Sequence, residues 1–484
     1  MDHLITWKGR SMKHVVIVGG GISGLAAAYR LQMLAPEVKV TLVERESRLG
    51  GKIATERAHG FVVEGGADCF LARKPRGIAL CEELGIAQRL QGRNPDYEKT
   101  YILRAGTLHR LPEGLTGMVP TDVDTLARST LISWEGRARL MRDLELPPAP
   151  GNSDESVAEF ISRRLGSEVF EQLIEPLMGG IYAGDAAQLS LAATFPELRA
   201  LERDHGSLLR GLRSAAAAHR RGAIATSYPP FVAFRSGMLE LVEVLQARLT
   251  QANIIVGTSV TTLKRSAEGF VLTLKNKQRL ESGAVILATP AFVTAQLVAP
   301  LDPALAAAHR AIPYASVVTV SLAYEKDKIP HPLDGYGYLI PRIEGSNVLA
   351  CTWSSNKWDG RAPARYTLLR VYLGRYGQRD LVQDRDEKLF TLARNELART
   401  LAINEPSAFR WLFRWPQAMP QYTLGHPERL KQIGKQLTYQ PGLFLAGAAY
   451  EGVGIPDCIR SGEQAAEAAL ASLNARVGQN APHG

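Results

Sequence analysis

An apolar run from His14 to Val18 ends in Gly19-Gly20-Gly21-Ile22-Ser23-Gly24, and small or apolar residues then continue without a breaker from Leu25 to Leu34. This order predicts a strand, a tight turn and a helix. A second run, Val38 to Val43, stops at Glu44 and predicts another strand, so strand, helix and strand form a βαβ unit with a right-handed crossover. From about Asp96 to Gly222 strand signals thin out and helical spacing dominates. There Ser153-Asp154-Glu155-Ser156 offers an N-cap to a helix over Val157 to Leu165, just beyond a break at Leu146 to Pro150. Val232 to Thr250 reads as a helix entered through Arg235-Ser236-Gly237, and Asn253 to Val260, Gly269 to Lys275 and Ala284 to Ala288 read as strands that resume the first layer. Val317 to Tyr324, Gly337 to Ile340, Val348 to Trp353 and Leu368 to Leu373 predict a second sheet, accompanied by a helix around Asp384 to Leu401. A strand, Gly442 to Ala446, and an alanine-rich helix, Ile459 to Leu473, complete the pattern, which contains no internal repeat.

Composition narrows the class. With 45% hydrophobic and 22% charged residues the chain is globular rather than disordered, and 484 residues exceed what one core holds, so two or three domains are expected. Lys and Arg outnumber Asp and Glu by 57 to 48, and this excess suits an anionic substrate or an acidic surface; no nucleic-acid partner is expected. Cys69, Cys81, Cys351 and Cys458 lie far apart without metal-ligand spacing, which predicts no metal site and a reduced, cytoplasmic setting. No apolar run reaches the roughly 20 residues of a membrane span. Residues 1–11 have no apolar core of a secretory signal and read as an upstream extension before Met12.

The chemistry lies in the glycines. Gly19, Gly21 and Gly24 fit G-x-G-x-x-G, in which the first allows the turn, the second lets the backbone approach a pyrophosphate and the third lets helix and strand pack closely. Glu44, at the end of the next strand, stands where a carboxylate accepts bonds from a ribose hydroxyl. NAD and FAD share this fingerprint. Three further glycine clusters separate them: Arg48-Leu49-Gly50-Gly51-Lys52, Glu64-Gly65-Gly66-Ala67-Asp68, and Leu445-Ala446-Gly447-Ala448-Ala449 with Gly452-Val453-Gly454-Ile455. They suit a long, extended cofactor with a flat ring, and the helix after the last could stabilise negative charge on a reduced isoalloxazine.

Gly19 to Gly24 with Arg48-x-Gly50-Gly51 resembles the flavin amine oxidase superfamily. Gly65 to Lys74, Gly180-Ile181-Tyr182-Ala183-Gly184-Asp185, Leu189-Ser190 with Thr194-Phe195-Pro196, and Tyr450 to Ile459 resemble its bacterial coproporphyrinogen III/protoporphyrinogen IX oxidase branch, over Lys13 to about Leu473. The resemblance implies an α/β fold with an α+β substrate domain. A Rossmann-like FAD domain of the p-hydroxybenzoate-hydroxylase type would be assembled from 12–95, 225–302 and 421–484, with a mainly helical domain at 96–224 and a mixed-sheet substrate domain at 303–420.

It also implies noncovalent FAD held by Gly19, Gly20, Gly21, Ile22, Ser23, Gly24, Glu44, Arg45, Lys52, Gly65, Gly66, Ala67 and Asp68, with Val260 at the adenine and Trp415, Val453, Gly454 and Ile455 near the flavin. Arg73 and Lys74 would meet substrate carboxylates, and Ile181, Tyr336 and Trp353 would line the tetrapyrrole pocket, although Ile181 and Trp353 read equally as core residues. No side chain is assigned as a catalytic base. The implied reaction converts coproporphyrinogen III to coproporphyrin III by three two-electron hydride transfers to flavin, with dioxygen as acceptor and hydrogen peroxide as product. Protoporphyrinogen IX is the alternative substrate. A flavin amine oxidase and a cofactor-free prenyl-protein chaperone are the rival classes. The basic run Arg203 to Arg221 leaves a peripheral membrane or haem-pathway enzyme contact open beside a plain solvated face, and no motif selects an oligomeric state.

Overall fold

The computed structural model describes residues 13–112, 115–116, 119–120, 123–151, 153–222 and 228–479. The expected upstream extension and the expected boundary at 224/225 lie outside the described residues. The chain opens with β1 (His14–Val18), α1 (Ile22–Leu34), β2 (Lys39–Val43) and α2 (Pro75–Glu83), and a hairpin of β3 (Lys99–Arg104) and β4 (Thr107–Arg110) follows. A helical stretch contains α3 (Val157–Leu165), α4 (Glu175–Tyr182) and α5 (Leu208–Gly222). Strands return with β5 (Asn253–Ile255), β6 (Ala284–Leu287), β7 (Tyr314–Glu325), β8 (Gly335–Leu339), β9 (Val348–Trp353) and β10 (Tyr366–Leu373). The helix α6 (Asp386–Leu401), the long strand β11 (Phe409–Pro420), β12 (Leu443–Leu445) and α7 (Ile455–Gln479) complete the set.

Two sheets organise these elements. One is parallel, in the order β5-β2-β1-β6-β12, so that Val15 on β1 lies beside Ala284 on β6, far along the chain. Its strands are largely apolar because helices cover one face and a second apolar cluster the other. The helix α1 lies against α7, and the contact is tight: a Cβ on Gly462 would stand 2.1 Å from the Ser23 carbonyl. The other sheet is mixed and seven-stranded, in the order β11-β7-β10-β9-β8-β3-β4.

Four sequence expectations change. The first strands of the region expected to be mainly helical, 96–224, are β3 and β4, which join the second sheet through a parallel pairing of β3 with β8, where Ile102 and Leu103 are buried. Phe231–Phe234 is a strand and only Leu239–Arg248 is helical, the two being separated by Gly237 at φ +103°. Asn253 to Val260 is broken at Gly257, φ +72°, into β5 and a second strand, Val260–Ser266. Finally α7 begins at Ile455 rather than Ile459, which places the Gly452–Gly454 loop directly at its N-terminus.

Candidate functional site

The first glycine cluster divides its labour as the spacing predicts. Gly19 is at φ +109°, and a Cβ there would strike the Ala288 carbonyl oxygen at 2.5 Å; on Gly24 a Cβ would lie 1.9 Å from the Gly19 carbonyl. A Cβ on Gly21 meets nothing within 4 Å, so this glycine is required by no neighbouring protein atom and leaves room at the start of α1. Glu44 is fixed beside it, one carboxylate oxygen accepting from Gly20 N–H at 2.6 Å and the other from Glu46 N–H at 2.8 Å. Backbone bonds from Glu44 and Glu46 to Ile255, Gly257 and Thr258 bring the segment before buried Val260 to the same edge. Arg45 turns outward to an exposed pair with Glu46. Ile22 and Ser23 are buried in the first turn of α1.

Lys52 lies deeper. Among the described residues its ammonium has no hydrogen-bond or carboxylate partner, and desolvation lowers its pKa; Cys458 in the first turns of α7 is its electrostatic neighbour. The Gly447 N–H donates to Ser461 Oγ at 3.0 Å, tying the turn after β12 to α7.

The Gly65–Asp68 loop is clamped from the second sheet. The Gly65 carbonyl accepts from Thr319 Oγ1 on β7 at 2.9 Å, Arg370 Nη2 on β10 at 2.9 Å and Trp415 Nε1 on β11 at 2.8 Å, and Arg370 also donates to the Gly66 carbonyl. The glycines themselves are demanded by protein contacts: a Cβ on Gly65 would meet Phe413 at 2.4 Å, and one on Gly66 the Lys52 carbonyl at 1.7 Å. Asp68 accepts from Lys357 Nζ at 2.8 Å and Trp358 Nε1 at 3.2 Å. Burial opposes its ionisation, but the Lys357 ammonium and the Arg370 guanidinium hold its carboxyl well below the usual range.

Beyond the loop, Lys74 stands immediately before α2 and forms an ion pair with buried Asp457 in the first turn of α7. Arg73 is exposed. Val453, Gly454 and Ile455 form the approach to α7, and Tyr422 braces the loop before them, its hydroxyl donating to the Ala448 carbonyl at 2.6 Å and accepting from Gly452 N–H at 2.8 Å. His426 stacks on that ring with centroids 4.3 Å apart. Ile181 is partly exposed near the end of α4, and Tyr336 is buried on β8 with its hydroxyl bonded to the Asn94 carbonyl.

Trp353, left open by the sequence between pocket wall and core, takes the second place. Strand alternation turns it to the α6 side of the sheet, where it is 0% exposed among Leu322, Leu369 and Leu389, while its neighbour Thr352 faces the other way. It is a core residue, not a pocket wall. The basic run is also partly committed: Arg210 donates to the Leu144 carbonyl, Arg213 pairs with Asp124, and Leu208, Leu209 and Leu212 are buried. Among the described residues no helix is long and apolar enough to cross a membrane, and no His, Cys, Asp and Glu group could hold a metal ion.

The model of flavin containing amine oxidoreductases matches residues 22–470. The chain belongs to this family. Within it, the chain is 36% identical to coproporphyrinogen III oxidase of Bacillus subtilis (strain 168) over 468 residues, covering 95% of this chain and 98% of the relative. It is 34% identical to Homo sapiens protoporphyrinogen oxidase over 480 residues, covering 94% and 98%. A solved structure from Exiguobacterium sp. 255-15 superposes with TM-score 0.83 at 32% identity, covering 96% of this chain and all of that one. Putrescine oxidase bound to putrescine superposes at TM-score 0.65 and 18% identity, covering 95% and 99%, which is a likeness of fold.

As a member of the flavin containing amine oxidoreductases, the chain takes FAD, and its residues fit that group. Gly21 leaves open space that a pyrophosphate would fill, Lys52 would supply an unpartnered cation, and the N-termini of α1 and α7 would add their partial positive charge. Sequence reasoning missed Thr319, Arg370, Lys357 and Tyr422. A charge inside the apolar run Leu368-Leu369-Arg370-Val371 was the one available signal. Lys357 and Tyr422 carry none, because their roles arise only from contacts across the chain.

Proposed function

We propose that this chain oxidises coproporphyrinogen III to coproporphyrin III, using FAD and dioxygen. The observation that carries the reading is end-to-end similarity to coproporphyrinogen III oxidases in a chain whose dinucleotide cradle is intact. Bound FAD supplies the two-electron acceptor, three turns of which account for the six electrons that separate porphyrinogen from porphyrin. The protein's part is to bind, orient and shield the macrocycle. Gly19–Gly24, Glu44 and Lys52 hold the cofactor's nucleotide end, and the Gly65–Asp68 loop, clamped by Thr319, Arg370 and Trp415, fixes the surface beside which the substrate is oriented. Lys74 supplies a cation at the rim of that surface, and Tyr336 and Ile181 supply apolar contact.

The test is aerobic turnover of coproporphyrinogen III and protoporphyrinogen IX side by side, followed by porphyrin fluorescence. Faster turnover of the tetracarboxylate is expected; the 34% identity to human protoporphyrinogen oxidase supports protoporphyrinogen IX as the second substrate. Failure with both, in a yellow protein that oxidises amines, sinks the reading in favour of an amine oxidase. A colourless protein that cannot be loaded with FAD points to the chaperone class.

A further inference from the structure

Arg93 lies in the loop after the short strand Leu90–Gly92, and its guanidinium is sandwiched between two aromatic rings, 4.8 Å from the Phe231 centroid and 4.7 Å from that of Tyr336. Stacking of this kind holds the guanidinium plane by its faces and leaves its N–H edges free. Those edges have no carboxylate or carbonyl partner among the described residues, and none of the three nitrogens is sealed in the interior. The loop is itself pinned: Asn94 N–H donates to the Lys357 carbonyl at 3.0 Å, Asn94 Nδ2 reaches Asp359 at 3.1 Å, and the Tyr336 hydroxyl returns to the Asn94 carbonyl at 2.9 Å. Lys357 in turn holds Asp68, so Arg93 is tied through this residue to the clamped Gly65–Asp68 loop.

Three other cations around that loop are already committed. Lys74 is held by Asp457, Lys357 by Asp68, and Arg370 by the two glycine carbonyls. A guanidinium fixed by its faces, open at its edges and lacking an anion of the protein's own is suited to grip a carboxylate in two parallel bonds. Sequence reading gave that task to Arg73 and Lys74, of which one is exposed and the other already ion-paired.

We propose that Arg93 binds a propionate of the macrocycle and is a residue by which this site reads substrate carboxylates. The inference rests on the porphyrinogen reading above. It implies that Phe231 and Tyr336 act as supports for the guanidinium and that loss of either ring loosens binding by freeing Arg93.

The test measures binding of coproporphyrin III, and of its tetramethyl ester in a common detergent, to FAD-loaded wild type, Arg93→Gln and Arg93→Lys by absorbance titration. Arg93→Gln should weaken coproporphyrin III about 10-fold, leave the ester within about twofold, and keep flavin content and melting temperature unchanged. Arg93→Lys retains the charge without the planar fork and should fall between the two; it also serves if the glutamine variant does not fold. Unchanged affinity for the acid in either variant overturns the role of Arg93 while leaving the oxidase reading intact. Equal weakening of acid and ester overturns it as well, because packing rather than carboxylate recognition is then lost. A yellow wild type that binds neither porphyrin overturns both the proposal and the substrate reading on which it rests.

Discussion

Gly21 and Gly24 are three residues apart, yet they should answer substitution in opposite ways. A side chain on Gly21 meets open space, so Gly21→Val should fold with near-native melting behaviour and lose FAD, because the valine fills the place of the pyrophosphate. A methyl on Gly24 would lie 1.9 Å from a backbone oxygen, so Gly24→Ala should destabilise even the cofactor-free protein. Circular-dichroism melts and flavin absorbance of the two variants separate these outcomes, and a yellow Gly21→Val protein would mean that the cradle is misassigned. Lys74→Ala should keep FAD while lowering kcat/KM roughly 10- to 100-fold if its ammonium meets a substrate carboxylate. Its partner Asp457 would then retain Arg460 at 3.6 Å, so the fold should survive. Full activity with intact flavin content would restrict Lys74 to holding Asp457.

At the scale of elements, three strands of the second sheet reach across to one carbonyl, that of Gly65, and two of those donors are neutral whereas Arg370 is charged. Replacing Arg370 by Met removes its bonds to two carbonyls and should cost on the order of 1.5–3 kcal/mol of unfolding free energy, with weaker FAD retention. Urea titration and flavin release measure the two effects, and an unchanged urea midpoint would show that the loop holds its shape without this strand. Strand alternation made much of this sheet legible from sequence: Val317 to Tyr324 and Leu368 to Leu373 were recognisable as strands. What alternation could not reveal was which face of each strand looks toward the site, and Trp353 was therefore left open between pocket wall and core. The first glycine cluster was readable because its chemistry is local. The loop at Gly65 was readable only as a pair of glycines, since Phe413 and the Lys52 carbonyl, which require them, come from distant elements.

For the whole molecule, three buried histidines, His14, His309 and His426, set a lower pH limit, since desolvation lowers the pKa of each. Burial lowers His14 and His426 to about 4, against 6.5 for a free imidazole, while both accept or donate hydrogen bonds inside the fold. The unfolded chain therefore takes up these protons first, so the stability they contribute is complete above about pH 6.5 and is withdrawn as pH falls toward 4. Each loss is on the order of 3 kcal/mol by pH 4; the buried Glu64 carboxyl, raised by desolvation, acts in the opposite direction. Denaturant midpoints should fall between pH 7 and 5, and less steeply in His426→Gln; a flat profile would contradict neutral imidazoles in the core. The parallel sheet carries a different consequence, one for synthesis. Its edge strand β12 and the helix that covers α1 come from the last tenth of the described chain, so a ribosome must translate past Leu473 before the βαβ unit begun at His14 has its full partners. Until then α1 presents Ser23 and Ala27 to solvent or to a chaperone, and FAD capture should follow the emergence of α7 rather than precede it.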